Sequence, residues 1–245
     1  MSELALNVDG LTTGYGKIVV VRDLSLHVAP GEVVALLGPN GAGKTTTLLA
    51  VSGLLPILGG AIEALGEPVG RGPAYRLARR GVVHVPEDRS LFTQLTVAEN
   101  LRMGARGRDR DALAQVFGYF PELEPLQGRQ AGLLSGGEQQ MLAVGRALLQ
   151  HPKLLLVDEM SLGLAPIIVQ RLLPVLREIA DRTRAGVLFV EQHVHLALEV
   201  ADRAYVVHRG TVEMSGTAAE LRERREVIES SYIGAPVLER RSADA

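Results

Sequence analysis

An α/β fold with a mainly parallel sheet, an N-terminal antiparallel β subdomain and a helical insert is predicted by three features of the chain. Short apolar runs alternate with stretches of helical pattern, as strands buried on both faces between helices do. The N-terminal residues are written differently, with Asp9-Gly10 and Pro30-Gly31 punctuating β-branched runs at hairpin spacing. Between two of the buried runs lie about seventy residues, too many for an ordinary crossover.

In order, residues 4–8, 18–21 and 25–28 read as antiparallel strands. From Glu32 onward the buried strands are 33–37, 82–85, 154–157 and 187–190, with helices between them. The stretch 96–150 is mostly helical in pattern and is expected to sit beside the sheet as a subdomain. The expected organisation is one domain over 4–238, with 4–95 and 151–215 forming the core and its antiparallel part, 96–150 the helical subdomain, 216–238 C-terminal helices and 239–245 a tail. Arginine-rich segments, 222–225 and Arg240-Arg241, read as solvated faces and a frayed end.

Composition narrows the function. With 245 residues, 47% hydrophobic and 22% charged, the chain can bury a large core and is not a disordered or fibrous sequence. Lys+Arg 26 against Asp+Glu 28 gives a net charge of -2, so no global positive field draws a polyanion, and nucleic acid is not expected as a partner. The absence of cysteine excludes a disulfide framework, a thiolate nucleophile and cysteine-ligated zinc or iron–sulfur sites, and fits a reducing compartment. No basic region followed by an apolar core opens the chain, and the longest apolar stretches span only a few residues. The expectation is a chain neither exported by a signal peptide nor crossing a bilayer.

Gly38-Pro39-Asn40-Gly41-Ala42-Gly43-Lys44-Thr45 has the phosphate-loop spacing of Gly, four residues, then Gly-Lys-Ser/Thr. The strand 33–37 delivers this loop and a helix starting near Lys44 follows it, so backbone N–H groups and a positive helix end can face a phosphate. Lys44 is placed to reach the β- and γ-phosphates and Thr45 to bind Mg²⁺ through its hydroxyl, with Thr46 among the binding residues. The expected core is thus a P-loop NTPase (RecA-like) one. Downstream, the buried strand 154–157 ends in Asp158-Glu159, two carboxylates that want a cation. Asp158 is placed to hold Mg²⁺ and Glu159, one residue on, to polarise an attacking water as general base. Leu134-Ser135-Gly136-Gly137-Glu138-Gln139-Gln140 precedes a helical run, with Ser135 as N-cap and Glu138 three residues later forming a capping box. Capping does not require Gly136 and Gly137, which each cost roughly 1 kcal/mol in a first turn relative to Ala. Paired glycines there suit close approach to an anion.

At these three motifs the chain resembles the ATP-binding cassette (ABC) ATPases, whose Leu-Ser-Gly-Gly-Gln signature precedes the strand carrying the Asp-Glu pair. The likeness spans residues 4–234. It implies ATP and Mg²⁺ as ligands. Tyr15, between Gly14 and Gly16, matches the aromatic that stacks on adenine, and Glu87 takes the place of the Q-loop glutamine, where a carboxylate still approaches Mg²⁺ but cannot donate a hydrogen bond. Ser161-Leu162-Gly163-Leu164 stands where the family has Ser-Ala-Leu-Asp, and Met160 where a proline follows the catalytic glutamate. Counting back from Ala201-Asp202-Arg203, the switch histidine falls on Gln192, with His193 adjacent as the other candidate.

Taken together, Glu87, the segments 134–143, 161–166 and 190–192, and the ending Tyr232-Ile233-Gly234 resemble the LivF-type ATPases of branched-chain and other hydrophobic amino acid importers. Close relatives of that group serve urea and short amides, and a soluble non-transport ABC ATPase is the more distant alternative. The resemblance implies a head-to-tail pair of ATPase chains, homodimer or heterodimer, in which Ser135-Gly136-Gly137 of one copy covers the γ-phosphate held by Lys44 of the other. It further implies two membrane permease subunits, an extracytoplasmic solute-binding protein engaged through them, and a peripheral position on the cytoplasmic face of the membrane.

Overall fold

The computed structural model describes residues 4–70, 72–105 and 112–232. Residues 233–238 of the expected domain, the Ile233-Gly234 ending, the 239–245 tail and Arg240-Arg241 lie outside the described residues. In chain order the elements begin β1 (Leu6–Tyr15), β2 (Ile18–Val28), β3 (Val33–Leu37), α1 (Lys44–Val51), β4 (Ile57–Ala64), β5 (Glu67–Pro68), α2 (Tyr75–Arg80) and β6 (Val82–Val85). Then come α3 (Val97–Gly104), α4 (Ala112–Tyr119), α5 (Gly136–Leu148), β7 (Leu154–Val157), α6 (Pro166–Thr183) and β8 (Gly186–Glu191). The chain continues through α7 (Val194–Val200), β9 (Arg203–His208), β10 (Thr211–Thr217), α8 (Ala218–Glu223) and α9 (Arg225–Tyr232).

The larger sheet has the order β10-β9-β3-β8-β7-β6 and is parallel except where β10 runs against β9. Its strands β3 and β7, and β8 up to its last residue Glu191, are apolar because both faces are covered. Val33, Ala35, Leu37, Leu155, Val157, Val187 and Phe189 point into a core shared with α3 to α9. Their neighbours Val34, Leu36, Leu154, Leu156, Leu188 and Val190 point into a second core with α1, β1, β2 and β4. At about 1.5–3 kcal/mol for each fully buried Val, Leu or Phe, this double burial outweighs any surface contribution in fixing the sheet. The smaller antiparallel sheet, β2-β1-β4-β5, closes the second core. Among the described residues no helix is long and apolar enough to cross a membrane.

The N-terminal strands differ from the expectation. Residues 18–21 and 25–28 belong to one strand, β2, interrupted at Asp23, which has φ 49° and coincides with register shifts against β1. Asp9-Gly10 likewise sits inside β1 as an irregularity and not at a hairpin turn. A bulge carries the same residue types as a turn, so local chemistry alone reads both alike. At the other end, β10 runs to Thr217 before α8 begins, two residues into the span expected to be helical.

The insert leaves β6 through a loop that Asn100 holds in shape. This fully buried amide on α3 accepts from the Phe92 N–H (3.0 Å) and donates to the carbonyls of Phe92, Leu95 and Thr96 (3.0, 3.2 and 3.0 Å). Thr96 caps the same helix in a reciprocal box with Glu99. Replacing Asn100 by Ala leaves a buried N–H and several carbonyls short of partners, and is expected to lower stability by about 2–4 kcal/mol. Urea unfolding of Asn100→Ala beside the parent measures this directly.

Candidate active site

The parallel strands β3, β8, β7 and β6 all end on one edge of the sheet, and the loops that follow carry the polar residues, as the crevice at strand C-termini does in open α/β sheets. After β3, Gly43 at φ 102° leads into α1 with no side-chain cap, whereas α3, α5 and α8 each start with a complete capping box. Its left-handed backbone suits glycine, and the missing cap leaves the first-turn N–H groups of α1 free for an anion. Lys44 is 3% exposed; its ammonium donates to the carbonyls of Gly38 (2.9 Å) and Pro39 (3.0 Å) and lies 3.5 Å from Glu159. Thr46 is buried in α1, while Asn40 and Gly41 are exposed at the loop tip and Ala42 is buried beneath it.

The start of α1 and the end of β7 are joined through the Thr45 hydroxyl, which donates to Asp158 at 3.1 Å. Burial, then the neighbouring charges of Glu159 and Glu87, push the Asp158 carboxyl up to about 6, against the pull of the Thr45 hydrogen bond and Lys44. A hydroxyl and a carboxylate in contact, with a second carboxylate in electrostatic reach, are the hard oxygen donors that suit Mg²⁺. Among the described residues no group of three or more His, Cys, Asp or Glu forms a metal cluster, so such an ion would take its remaining oxygens from phosphate and water. Glu159 adopts φ 39°, a conformation costly for a non-glycine residue and one that functional sites retain.

Gln192 is the side chain brought to Glu159. Its amide Nε2 donates to Glu159 Oε2 at 3.0 Å, while His193 is exposed and its backbone N–H bonds Glu191. Tyr15 is half exposed at the end of β1, and Glu87 is exposed after β6. The Ser135–Gly137 segment is not joined to this cluster within the chain: Ser135 caps α5 in a box with Glu138, and the glycines face α6 and the loop before it. Gly137 has a steric reason the sequence did not reveal, since a Cβ there would stand 2.8 Å from Ile168 Cγ2. Also missed was Arg89, which donates to Gln140 (2.9 Å) and Gln139 (3.0 Å) and so clamps the loop after Glu87 to the signature helix. Its signal was the pairing of an arginine with two consecutive glutamines about fifty residues away, which no local pattern exposes.

The family described as "ABC transporter" matches residues 21–161. The chain belongs to that family. This ABC ATPase binds and hydrolyses ATP. It is 43% identical over 94% of its length to the high-affinity branched-chain amino acid transport ATP-binding protein BraG of Pseudomonas aeruginosa, covering 99% of that protein. It is 34% identical over 87% of its length to the probable branched-chain amino acid transport ATP-binding protein LivF of Archaeoglobus fulgidus, covering 92%. In fold it superposes on cbiO1 of Clostridium perfringens, part of the cbiONQ transporter complex, with a TM-score of 0.82 at 23% identity over 96% of each chain.

Lys44→Ala removes the one ammonium in the phosphate loop of this ABC ATPase and should weaken ATP binding by about ten- to a hundredfold, as a titration would show. Of the two switch candidates, Gln192→Ala should lower turnover about tenfold or more, whereas His193→Ala should leave it near that of the parent. The reverse ranking in a phosphate-release assay would reassign the switch.

Proposed function

We propose that the chain energises uptake of branched-chain or other hydrophobic amino acids as a peripheral ATPase subunit on the cytoplasmic face of the membrane. The observation that carries this reading is the near full-length likeness to BraG, whose name gives that solute class. The shared subfamily features, Glu87 and the segments 161–166 and 190–192, support it.

In this reading the ABC domain spans 4–238, and its site works as follows. Loop N–H groups, the α1 N-terminus and Lys44 hold the ATP phosphates, and Tyr15 stacks on adenine. Thr45 and Asp158 would hold Mg²⁺, with Glu87 near them; the ion would supply positive charge to the phosphates as charge develops on them. Glu159 accepts a proton from the attacking water, and the Gln192 amide, a neutral donor, orients the water with it. Leaving the carbonyls of Gly38 and Pro39 frees Lys44 to reach the phosphates.

The second half of the site comes from another ATPase chain, identical or different. Its Ser135-Gly136-Gly137 segment would cover the γ-phosphate and bring the positive end of α5, about half an elementary charge. Permease subunits would dock in the groove between α2, the loop after Glu87, α3 and α5, where Tyr75, Phe92 and Met103 expose 55%, 48% and 62% of their surface. A solute-binding protein would reach the ATPase only through them.

Glu159→Gln keeps the shape of the base but accepts no proton, so it should retain ATP binding, lose about a hundredfold or more in turnover and accumulate an ATP-bound dimer. Light scattering with ATP and Mg²⁺ would detect that dimer; a strict monomer would mean that the partner is a different chain or that the site is not composite. Deleting the protein in its host should reduce leucine, isoleucine or valine uptake. Loss of urea or short-amide uptake, with leucine uptake intact, would move the solute to the runner-up class.

A further inference from the structure

Glu191 closes β8 as a charged residue that is fully buried. Four donors converge on its carboxylate. The Ser161 N–H reaches one oxygen at 3.2 Å, and the Ser161 hydroxyl (2.8 Å), the Gln192 N–H (3.0 Å) and the His193 N–H (3.2 Å) reach the other. In all four contacts the carboxylate oxygens are the acceptors. Among the described residues no ion pair is made to it. Tyr232 of α9 lies within its electrostatic reach, a buried hydroxyl with no hydrogen-bond partner among the described residues; burial first, then Glu229 and Glu191, push that phenol's pKa up.

The donors come from two different loops. Ser161 starts the turn after Glu159, closed by Leu162 N–H to Glu159 (3.2 Å) and Leu164 N–H to Ser161 (3.0 Å). Leu164 packs on the signature glycine Gly136, where an added Cβ would stand 3.1 Å from Leu164 Cδ2. The other loop carries Gln192, whose amide reaches Glu159. One carboxylate therefore fixes the distance between the turn that leaves the base and the loop that bears the water-orienting amide.

We propose that Glu191 is a positioning residue for ATP hydrolysis: by tying the Ser161 turn to the loop of Gln192, its carboxylate holds the Gln192 amide against Glu159. This rests on the reading of Gln192 as the switch residue. A glutamine in place of Glu191 would keep one acceptor oxygen but turn an N–H group toward a donor, so that at least one of the four bonds becomes a donor–donor contact. The consequence falls on turnover, because the hydrogen bonds to the Glu191 carboxylate come, among the described residues, from Ser161, Gln192 and His193 and not from the phosphate loop, where ATP affinity is set.

The test measures kcat and ATP affinity for the full chain carrying Glu191→Gln, Ser161→Ala, Ser161→Thr and Gln192→Ala, and for Glu191→Gln and Ser161→Ala each combined with Gln192→Ala. The expected result is a loss of about tenfold in kcat for Glu191→Gln and severalfold for Ser161→Ala, ATP affinity within about twofold of the parent, and recovery in Ser161→Thr, which keeps the hydroxyl. In the Gln192→Ala background neither substitution should lower kcat further, since a residue acting only through Gln192 is non-additive with it. If Glu191→Gln fails to fold, Ser161→Ala and its combination with Gln192→Ala carry the test unchanged. Parent-like kcat in both single variants, or losses that multiply with Gln192→Ala, would overturn the proposal. Slow Gln192→Ala beside normal Glu191→Gln and Ser161→Ala defeats this inference alone; parent-like turnover of Gln192→Ala defeats both it and the reading of Gln192.

Discussion

The parallel register of four buried strands is the constraint on which the site depends. Leu37 pairs with Glu191, Val85 with Val157, and Val157 with Phe189, so the strands finish within two residues of one another and their next residues share one edge. Because successive residues fill opposite cores, a slip by one position would move every Val and Leu of a strand to the other face. The cores therefore lock the register far more tightly than any active-site contact does. Thr45 meets Asp158, and Gln192 meets Glu159, as a consequence of that locking.

At this edge the chain keeps charges that do not favour folding. Lys44 is almost fully buried against two carbonyls and a carboxylate, Asp158 is pushed upward by burial, and Glu159 holds an unfavourable backbone conformation. Buried charges of this kind are often no more stable than packed apolar groups, and the backbone of Glu159 suits glycine better, yet each residue has chemistry that requires it where it is. A triphosphate and its cation supply charges opposite to those of Lys44 and Asp158. The site is thus arranged around partners that ligand atoms can replace, with Lys44 on the carbonyls of its own loop.

Much of this was legible in the sequence because the signals were local. The runs 33–37, 82–85 and 154–157 coincide with β3, β6 and β7, since strands covered on both faces are written as short apolar runs, with His84 in the edge strand β6 as the one polar residue among the three. The phosphate loop and the capped signature helix were likewise readable from residue type and spacing. The antiparallel part was less so: Asp9-Gly10 and Asp23 are bulge residues that look like turns, and β4 contains Gly59-Gly60 and shows its strand character only through pairing with β1. Contacts across the fold left almost no local trace. Glu191 looks like the polar end of an apolar strand, Arg89 like a loop cation, and Gly137 like a phosphate-binding glycine, until Ile168 is seen beneath it.

The central claim is that strand register gathers Thr45, Asp158 and the phosphate loop into a single site for ATP with its cation. The most direct measurement is the ATP affinity of the parent and of Asp158→Asn, titrated calorimetrically with and without Mg²⁺. The parent should bind ATP more tightly when Mg²⁺ is present, and Asp158→Asn, with its fold intact, should lose most of that gain while binding metal-free ATP much as the parent does. An undiminished Mg²⁺ effect in Asp158→Asn would contradict the account, because the cation would then be held somewhere other than between Thr45 and Asp158.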